Sequence, residues 1–419
     1  MSHAEGLTEV AIVIALALLC GLGLGRLRQP AIVGYILAGV LLGPSGLGFV
    51  ENREAIGLLA ELGVLLLLFV VGMELSVRAF QAVLGFALLV TVLEIAATIL
   101  FMAALALVFG WNLGLVVLLG CVVSLSSTAV AIRMLSDIQE LHGDTGRKVV
   151  GVLIAQDLAF VPMILVIGAL GGDGMAPVDL LPLAGALAVL GGVLWFLARR
   201  PALRLPLRQW ARGQRDLTVL AALAWCFAAA SVSGLLGLSS AFGAFLAGLV
   251  LGNSSDRRAL MRAIEPIQGV LLMAFFLSVG LLVDLPTIWR NLGTVIVLLL
   301  VVTVLKTALN IGLFRTLDEP WPNAFKAGTA LSQVGEFSFV LAGAGLAGGL
   351  VDDEVHRIVV AVIVLSLATS PFWFLTAHRL HVLALQPTSW RETLGSLYGG
   401  ETSRLRGLVE RAARRARRR

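Results

Sequence analysis

The stretch GYILAGVLLGPS, at residues 34–45, has a second copy in the chain, GAFLAGLVLGNS, at residues 243–254. The glycines at 34, 39 and 43 match those at 243, 248 and 252, at an offset of 209 residues. Two further pairs keep nearly this offset and the same order. GVLLLLF from Gly63 matches GVLLMAF from Gly269, and SLSSTAV from Ser124 matches SQVGEF from Ser332. Glycine- and leucine-rich segments resemble one another by chance, but the shared order favours an internal repeat.

Composition sets the class of protein in which this repeat occurs. The 419 residues are 58% hydrophobic and 14% charged, with a mean hydropathy of +0.96. A soluble globular chain carries about 25% charged and about 45–50% apolar residues. The apolar residues also form blocks of about 20, the length of helix that spans a hydrocarbon core. The sequence therefore predicts an all-α, polytopic membrane protein and shows no short alternating segments of the kind found in β-barrels.

Thirteen transmembrane spans are predicted from these blocks. They cover approximately residues 7–25, 31–48, 56–77, 83–109, 113–133, 148–170, 180–198, 217–235, 238–252, 264–284, 291–314, 323–346 and 356–377. Residues 1–378 are predicted to form a transmembrane domain and residues 379–419 a basic tail. The cysteines Cys20, Cys121 and Cys226 lie far apart inside apolar blocks, so neither a disulfide framework nor a metal site is predicted.

The basic residues predict the orientation. One set of alternate loops, together with the tail, carries 26 lysines and arginines, whereas the opposite set carries only Arg53, Arg290 and Arg357. Cytoplasmic loops are the basic ones in membrane proteins. The N-terminus is therefore expected outside and the tail in the cytoplasm, in the inner membrane. The net charge of +5 follows from orientation, and no nucleic-acid partner is expected.

The repeat also predicts a function class. Seven helices separate each matched pair, and an odd number inverts the second copy across the membrane. Inverted repeats are typical of secondary transporters, whose binding site lies near the midplane between the repeats. The fifth and twelfth spans carry hydroxyl, amide and glycine clusters at mid-span, SLSSTAVAI at 124–132 and ALSQVGEFSF at 330–339. Such clusters indicate broken helices that line a cavity, although hydroxyls can also bond back to helix carbonyls. The predicted ion-binding residues here are Ser127, Thr128, Ser332 and Gln333.

A carboxylate in the sixth span is the predicted carrier group. Asp157 lies near the middle of this span, in LIAQDLAFVPMI at residues 153–164. A charged side chain at the bilayer centre costs about 2.5–3.5 kcal/mol on insertion scales, so such residues are usually functional. A structural pairing with another buried polar group is the alternative. Gln156 offers an amide oxygen beside Asp157, and Pro162 removes a helix hydrogen bond to Leu158.

Other intramembrane charges are predicted to assist this aspartate. Lys306 lies about nine residues from its span end, roughly 13 Å of helix rise, and so needs an anionic or polar partner. Glu336 is expected to set the local field beside the twelfth-span break. For Glu94 a functional role and a pairing with a neighbouring helix both stay open, and Glu74 and Asp284 are expected to be solvated or gating residues.

Taken together, these motifs resemble the Kef-type potassium–proton antiporters of cation–proton antiporter family 2. The resemblance runs in order over residues 8–378 and rests on the stretches above together with LLLLFVVGMELS at 65–76 and IEPIQGVLLMAFFLSVGLLVD at 264–284. It implies a homodimer with a dimerisation half and a mobile core of crossed broken helices. It further implies Asp157 as the ion-binding aspartate and Lys306 as a core-domain lysine. No strand–GxGxxG–helix pattern follows the last span, so nucleotide or glutathione gating is not implied.

Electrogenic relatives carry two adjacent aspartates, where this chain has Gln156 and Asp157. With one ionisable group in that pair, exchange is predicted to be one for one and electroneutral. The predicted function is potassium–proton antiport. The alternatives are sodium–proton antiport and, from another class, a cation channel or transport-derived sensor. An enzyme is not predicted, and no cofactor is expected.

The arginine-rich end of the chain predicts a lipid contact. In residues 404–419, RLRGLVERAARRARRR, the apolar residues fall on one stripe of a helix. A basic amphipathic helix beside a membrane is typical of a surface binder. The tail is therefore expected to bind anionic lipid, with a linker role as the alternative.

Overall fold

The computed structural model describes residues 3–26, 29–49, 53–74, 84–171, 180–199, 203, 215–236 and 238–384. The regular secondary structure within them is α-helical, with one isolated bridge between Leu203 and Ser254, which confirms the all-α prediction. The described helices are α1 (His3–Arg26), α2 (Ala31–Leu42), α3 (Arg53–Glu74), α4 (Leu84–Phe109), α5 (Leu113–Ser124), α6 (Thr128–Asp137), α7 (Asp144–Leu170), α8 (Leu180–Arg199), α9 (Arg215–Leu235), α10 (Ser240–Gly252), α11 (Arg257–Leu282), α12 (Leu285–Arg290), α13 (Leu292–Thr316), α14 (Trp321–Ala330), α15 (Phe337–Ala347) and α16 (Asp353–Ala384).

Each predicted span corresponds to one helix or to one broken pair of helices. The fifth span is α5 followed by α6, and the twelfth is α14 followed by α15. Among the described residues, seven segments are long and apolar enough to cross a membrane, and five more apolar helices are shorter. On α4 the side chains of Leu89, Leu100 and Leu107 are exposed, as expected of a surface that faces lipid. The chain is a multi-pass membrane protein.

Several boundaries differ from the prediction by a few residues, and two differences have clear local causes. The second span was predicted to reach residue 48, but α2 ends at Leu42. Gly43 precedes Pro44, and the residue before a proline is disfavoured in helical conformation. The short helix α12 was not predicted as a separate element. It begins after Asp284, whose side chain accepts a hydrogen bond from the Thr287 N–H, a standard N-terminal cap.

Helices α1–α3 and α9–α11 form one part of the structure, here called the glycine-packed half. In it α2 packs on α11, and α3 packs on α10 and α11. A Cβ on Gly248 would overlap the carbonyl oxygen of Phe69, and a Cβ on Gly39 would overlap that of Leu277. Gly39 and Gly248 occupy matching positions of the repeat, so the two copies make equivalent backbone contacts. Small residues allow this close approach of membrane helices.

The other part, the crossing half, contains α4–α7, α13–α15 and the first turns of α16. Here α4 packs on α5 and α7, α15 packs on the same two helices, and α13 packs on α14. Short α12 connects the last helix of the glycine-packed half to the crossing half. All contacts given below for the crossing half lie within one compact unit of the chain, which ends at Ala368.

A second compact unit begins at Thr369. Its described part is the remainder of α16, to Ala384. The predicted domain boundary between residues 378 and 379 thus falls inside this helix, and the division stays a prediction. The predicted amphipathic segment, residues 404–419, lies outside the described residues.

Candidate ion-binding site

The first helix break lies between α5 and α6. Helix α5 ends at Ser124 and α6 begins at Thr128. Leu125 and Ser127 between them are extended, with φ/ψ of −76°/135° and −79°/116°. Residues 124–127 are all buried. Carbonyl groups at the end of α5 therefore lack their helical partners in a place that water does not freely reach, and other groups must satisfy them.

The second break, between Ala330 and Phe337, crosses the first at backbone contact. The Gly335 N–H donates to the Leu125 carbonyl over 2.9 Å, and the Ser126 hydroxyl donates to the Leu331 carbonyl over 3.0 Å. A Cβ at Gly335 would lie 2.7 Å from the Ser126 carbonyl oxygen, which explains the glycine. The two crossed discontinuous helices of the predicted fold are confirmed.

Asp157 faces this crossing from α7. The Thr128 hydroxyl, at the start of α6, donates to Asp157 Oδ2 over 3.2 Å. Asp157 is partly exposed, whereas Gln156 before it is buried. Close by, the rings of Phe160 and Phe337 pack with centroids 4.9 Å apart and hold α7 against the start of α15. The carboxylate thus lies at the junction of three helices.

Gln156 is held by two hydrogen bonds. Its Oε1 accepts from the Ser126 N–H over 2.9 Å, and its Nε2 donates to Glu94 Oε2 over 2.7 Å. Because one partner is a donor and the other a carboxylate acceptor, the orientation of the amide is fixed. The amide oxygen expected as an ion ligand is therefore engaged with the first helix break, and Gln156 positions that break relative to α7.

Lys306 is fully buried on α13 and has the partner that the sequence demands. Its ammonium lies 3.7 Å from Glu94, which is also fully buried. It donates to the carbonyls of Ser124 and Leu125 over 3.2 and 2.9 Å, and to Ser126 Oγ over 2.9 Å. The lysine thus satisfies the free carbonyls at the end of α5, where a cation is favourable, and Glu94 balances its charge.

The predicted residues therefore fall into two groups. Thr128 contacts Asp157 directly, and the Gln333 amide donates to the Ser127 carbonyl over 3.1 Å, so both breaks contribute to one site. Ser332, by contrast, donates to the Thr329 carbonyl in its own turn over 2.8 Å. For Ser332 the structure therefore shows the alternative, a hydroxyl bonded to a backbone carbonyl of its own segment.

Sequence analysis missed the polar network behind the site. Asn310 Nδ2 donates to Glu94 Oε1 over 2.8 Å. Glu94 therefore contacts three polar side chains, those of Asn310, Gln156 and Lys306. For Glu94 the pairing with a neighbouring helix is thus realised. A signal was present, because Lys306 and Asn310 are four residues apart and share one face of a helix. The partner on α4 could not be identified from that spacing alone.

Comparison with known families gives a match over most of the chain. Residues 12–375 match the family model described as "Sodium/hydrogen exchanger, transmembrane". This family consists of secondary transporters and not of enzymes, in agreement with the prediction from sequence.

Comparison with individual proteins gives relatives whose names refer to different substrates. A protein of Paramagnetospirillum magneticum named "Iron transporter MagA" is 49% identical over 99% of this chain and 95% of its own length. The glutathione-regulated potassium-efflux protein KefC of Escherichia coli is 33% identical over 89% of this chain. The match spans 60% of KefC.

Comparison with solved structures supports the fold. The sodium proton antiporter MjNhaP1 from Methanocaldococcus jannaschii superposes with a TM-score of 0.67, covering 91% of this chain and 99% of that chain. The sequence identity in this superposition is 15%. At that identity the likeness shows a shared fold and no more.

Proposed function

Because the chain belongs to the sodium/hydrogen exchanger family of cation/proton antiporters, we propose that it exchanges potassium for protons at Asp157. The observation that carries this proposal is the crossing of two broken helices beside a partly exposed mid-span carboxylate. Gln156, Lys306 and Glu94 form the support behind it, and Thr128 contributes a hydroxyl. Ser127, Ser332, Gln333 and Glu336 complete the predicted set.

Coupling follows from the energetics of a carboxylate inside a membrane. An ionised Asp157 without a counter-charge is costly in a medium of low dielectric constant. A cation or a proton on the carboxylate removes that cost, so the site crosses between the two faces only when it is occupied. Cation and proton compete for the same oxygens, which makes the movement of one depend on the return of the other.

Exchange of this kind is electroneutral. The neighbour of Asp157 is an amide, Gln156, and the Lys306–Glu94 pair cancels its own charge. Asp157 carries either one monovalent cation or one proton, so the charge of the site is the same on the outward and on the return movement across the membrane. The rate of exchange should therefore depend little on the membrane potential.

The choice of potassium rests on the relative named as a potassium-efflux protein, KefC of Escherichia coli. Sodium is the alternative within the same mechanism. The relative named an iron transporter makes ferrous iron a second candidate substrate. The side chains around Asp157 offer hydroxyl, amide and carboxylate oxygens, which suit alkali cations, whereas iron is commonly bound by imidazole as well. We therefore propose potassium as the substrate and include iron in the transport experiment as the alternative.

We further propose the arrangement in the cell. The chain forms a homodimer in an inner membrane, with the N-terminus outside and the C-terminus in the cytoplasm. Anionic lipid binds residues 404–419. The support is the asymmetry of basic residues between the two sets of loops and the resemblance to Kef-type antiporters.

The test is proton flux into proteoliposomes, driven in turn by potassium, sodium, lithium and ferrous iron. We expect potassium-driven flux from the natural protein and none from Asp157→Asn, which keeps the shape and removes the charge. Asp144→Asn is the matched control, because Asp144 is an exposed aspartate on the same helix and should leave the flux intact. A channel would pass cations without moving protons against their gradient.

Two results would contradict the proposal. One is normal cation-driven flux in Asp157→Asn. The other is a steep change of the initial rate when the membrane potential is clamped at different values, which would mean that a further charge moves in each cycle.

A further inference from the structure

Three oxygen atoms at the crossing make no hydrogen bond of standard geometry to any described residue. They are Ser127 Oγ, Gln333 Oε1 and Glu336 Oε2, and all three are buried atoms. Ser127 and Gln333 are 0% and 1% exposed. Leaving a buried polar group unpaired costs about 1–3 kcal/mol, and native proteins leave few such groups. Three such oxygens at one place are therefore candidate ligands of a bound ion or of buried water.

The three atoms belong to one small cluster. The Gln333 amide nitrogen donates to the Ser127 carbonyl over 3.1 Å, which leaves its oxygen free on the other side of the group. Gly335 contacts the backbone of Ser126 and Ser127, so the next residue, Glu336, is held beside Ser127. The Glu336 carboxylate interacts with the Ser127 side chain and lies within electrostatic range of Asp157.

The hydrogen-bond donors nearby are already engaged. The Lys306 ammonium serves the end of α5 and Glu94. The Thr128 hydroxyl donates to Asp157. A fourth unpaired oxygen, Asn310 Oδ1, belongs to the residue that binds Glu94, on the support side of the site. The cluster therefore offers a hydroxyl, an amide oxygen and a carboxylate, and the Ser127 hydroxyl can donate to the carboxylate while its lone pairs stay available to a ligand.

We propose that Ser127 Oγ, Gln333 Oε1 and Glu336 Oε2 form a second position for the transported monovalent cation, beside Asp157. This inference rests on the proposed function and adds a residue, Glu336, as a direct ligand. Protein oxygens can replace the hydration shell of an alkali cation. A cation between Glu336 and Asp157 also offsets the repulsion between their carboxylates.

Binding of radioactive rubidium to the purified full-length protein tests this position directly. If Asp157 were the whole site, Asp157→Asn would bind no rubidium. A second position predicts that Asp157→Asn still binds it, at least about tenfold more weakly because one charged ligand is lost. The double variant Asp157→Asn with Glu336→Gln should then bind none. Radioactive sodium replaces rubidium if the natural protein selects sodium.

Transport gives the second readout. Glu336→Gln should raise the apparent KM for the cation about tenfold while exchange continues at high cation concentration. Ser127→Ala, which removes one neutral oxygen, should raise it less. Glu61→Gln is the matched control, because Glu61 is an exposed glutamate of the glycine-packed half and should leave KM unchanged. Elution volume and melting temperature confirm that each variant is folded.

The outcomes separate the two proposals. If the natural protein shows no exchange, or if Asp157→Asn exchanges normally, the proposed function fails, and rubidium binding still judges the second position. If water alone fills the cluster, Asp157→Asn binds no rubidium and Glu336→Gln keeps the natural KM. That result would overturn the second position and leave antiport at Asp157 standing.

Discussion

The glycine-packed half and the crossing half are held together by different kinds of contact between helices. In the first, backbones touch at glycines, and the interior between α3, α9, α10 and α11 is apolar, with Phe69, Met73 and Leu251 fully buried. In the second, the buried interior contains Glu94 and Lys306, both at 0% exposure. The two halves therefore depend on different interactions, close apolar contact in one and satisfied polar groups in the other.

This difference shows where an ion can be handled. Where continuous helices touch along their backbones, the carbonyl and N–H groups stay paired within each helix. Broken helices do the opposite, because each break frees carbonyls and N–H groups that side chains or ions must satisfy. Lys306 and Gln156, supported by Glu94, bind the backbone groups of residues 124–126 at the first break. The side-chain oxygens of Ser127, Gln333 and Glu336 are left without such bonds. Removing each kind of interaction in turn tests whether the two halves depend on different contacts.

The largest effect on stability is expected from the buried ion pair. Lys306→Gln leaves Glu94 buried without its counter-charge, and Glu94→Gln does the same to the lysine. Losing one partner of a buried pair costs about 3–5 kcal/mol. Thermal unfolding in detergent should show both single variants strongly destabilised.

The double variant supplies the control for this pair. With Glu94→Gln and Lys306→Gln together, no charge is left unpaired, so the loss should be smaller than in either single variant. Equal stability of the natural protein and both single variants would show that the pair does not hold the crossing together.

A smaller effect is expected in the glycine-packed half. In Gly248→Ala the new methyl group would overlap the Phe69 carbonyl oxygen, and the helices must shift apart. Overpacking of this kind costs about 1–3 kcal/mol. Gly269→Ala is the control, because a Cβ there meets nothing within 4 Å. Melting temperatures should fall for the first variant alone, and the KM for the cation should change in neither.

The smallest effect is expected at the link between the two halves. Asp284 caps α12 and pairs with Arg357 at the start of α16. The Thr287 N–H, its hydroxyl and Arg357 together hold the pKa of Asp284 below its usual value. A carboxyl with a lowered pKa stabilises the fold above its unfolded pKa, about 3.9, and loses that contribution as the pH falls through the folded value.

Asp284→Asn should therefore cost up to about 1 kcal/mol at neutral pH, the range of exposed ion pairs. Unfolding measured from pH 7 downwards should show this difference shrinking as the pH falls below about 4. A difference that persists unchanged in acid would mean that the charge of Asp284 contributes nothing and that its capping hydrogen bonds alone matter.

Much of the fold could be predicted because each feature has a local signal. Blocks of about 20 apolar residues indicate spans, and the GYILAGVLLGPS repeat indicates the inverted copy. Hydroxyl, amide and glycine clusters at mid-span indicate the two breaks. Asp157 is conspicuous because a lone carboxylate in an apolar run is costly. The end of α2 at Leu42 also had a local cause, Pro44, although it was not predicted.

By itself, the sequence therefore determined that the chain spans a membrane many times, that it contains an inverted repeat and that Asp157 lies at mid-span. Only the tertiary structure decided how the polar groups pair. Glu94 and Lys306 lie on helices far apart in the chain, and so do Ser127 and Glu336. Periodicity and composition report on neighbours along one helix, whereas these pairings depend on how separate helices cross. Which carboxylate balances the lysine, and which oxygens remain unpaired, is fixed by that crossing.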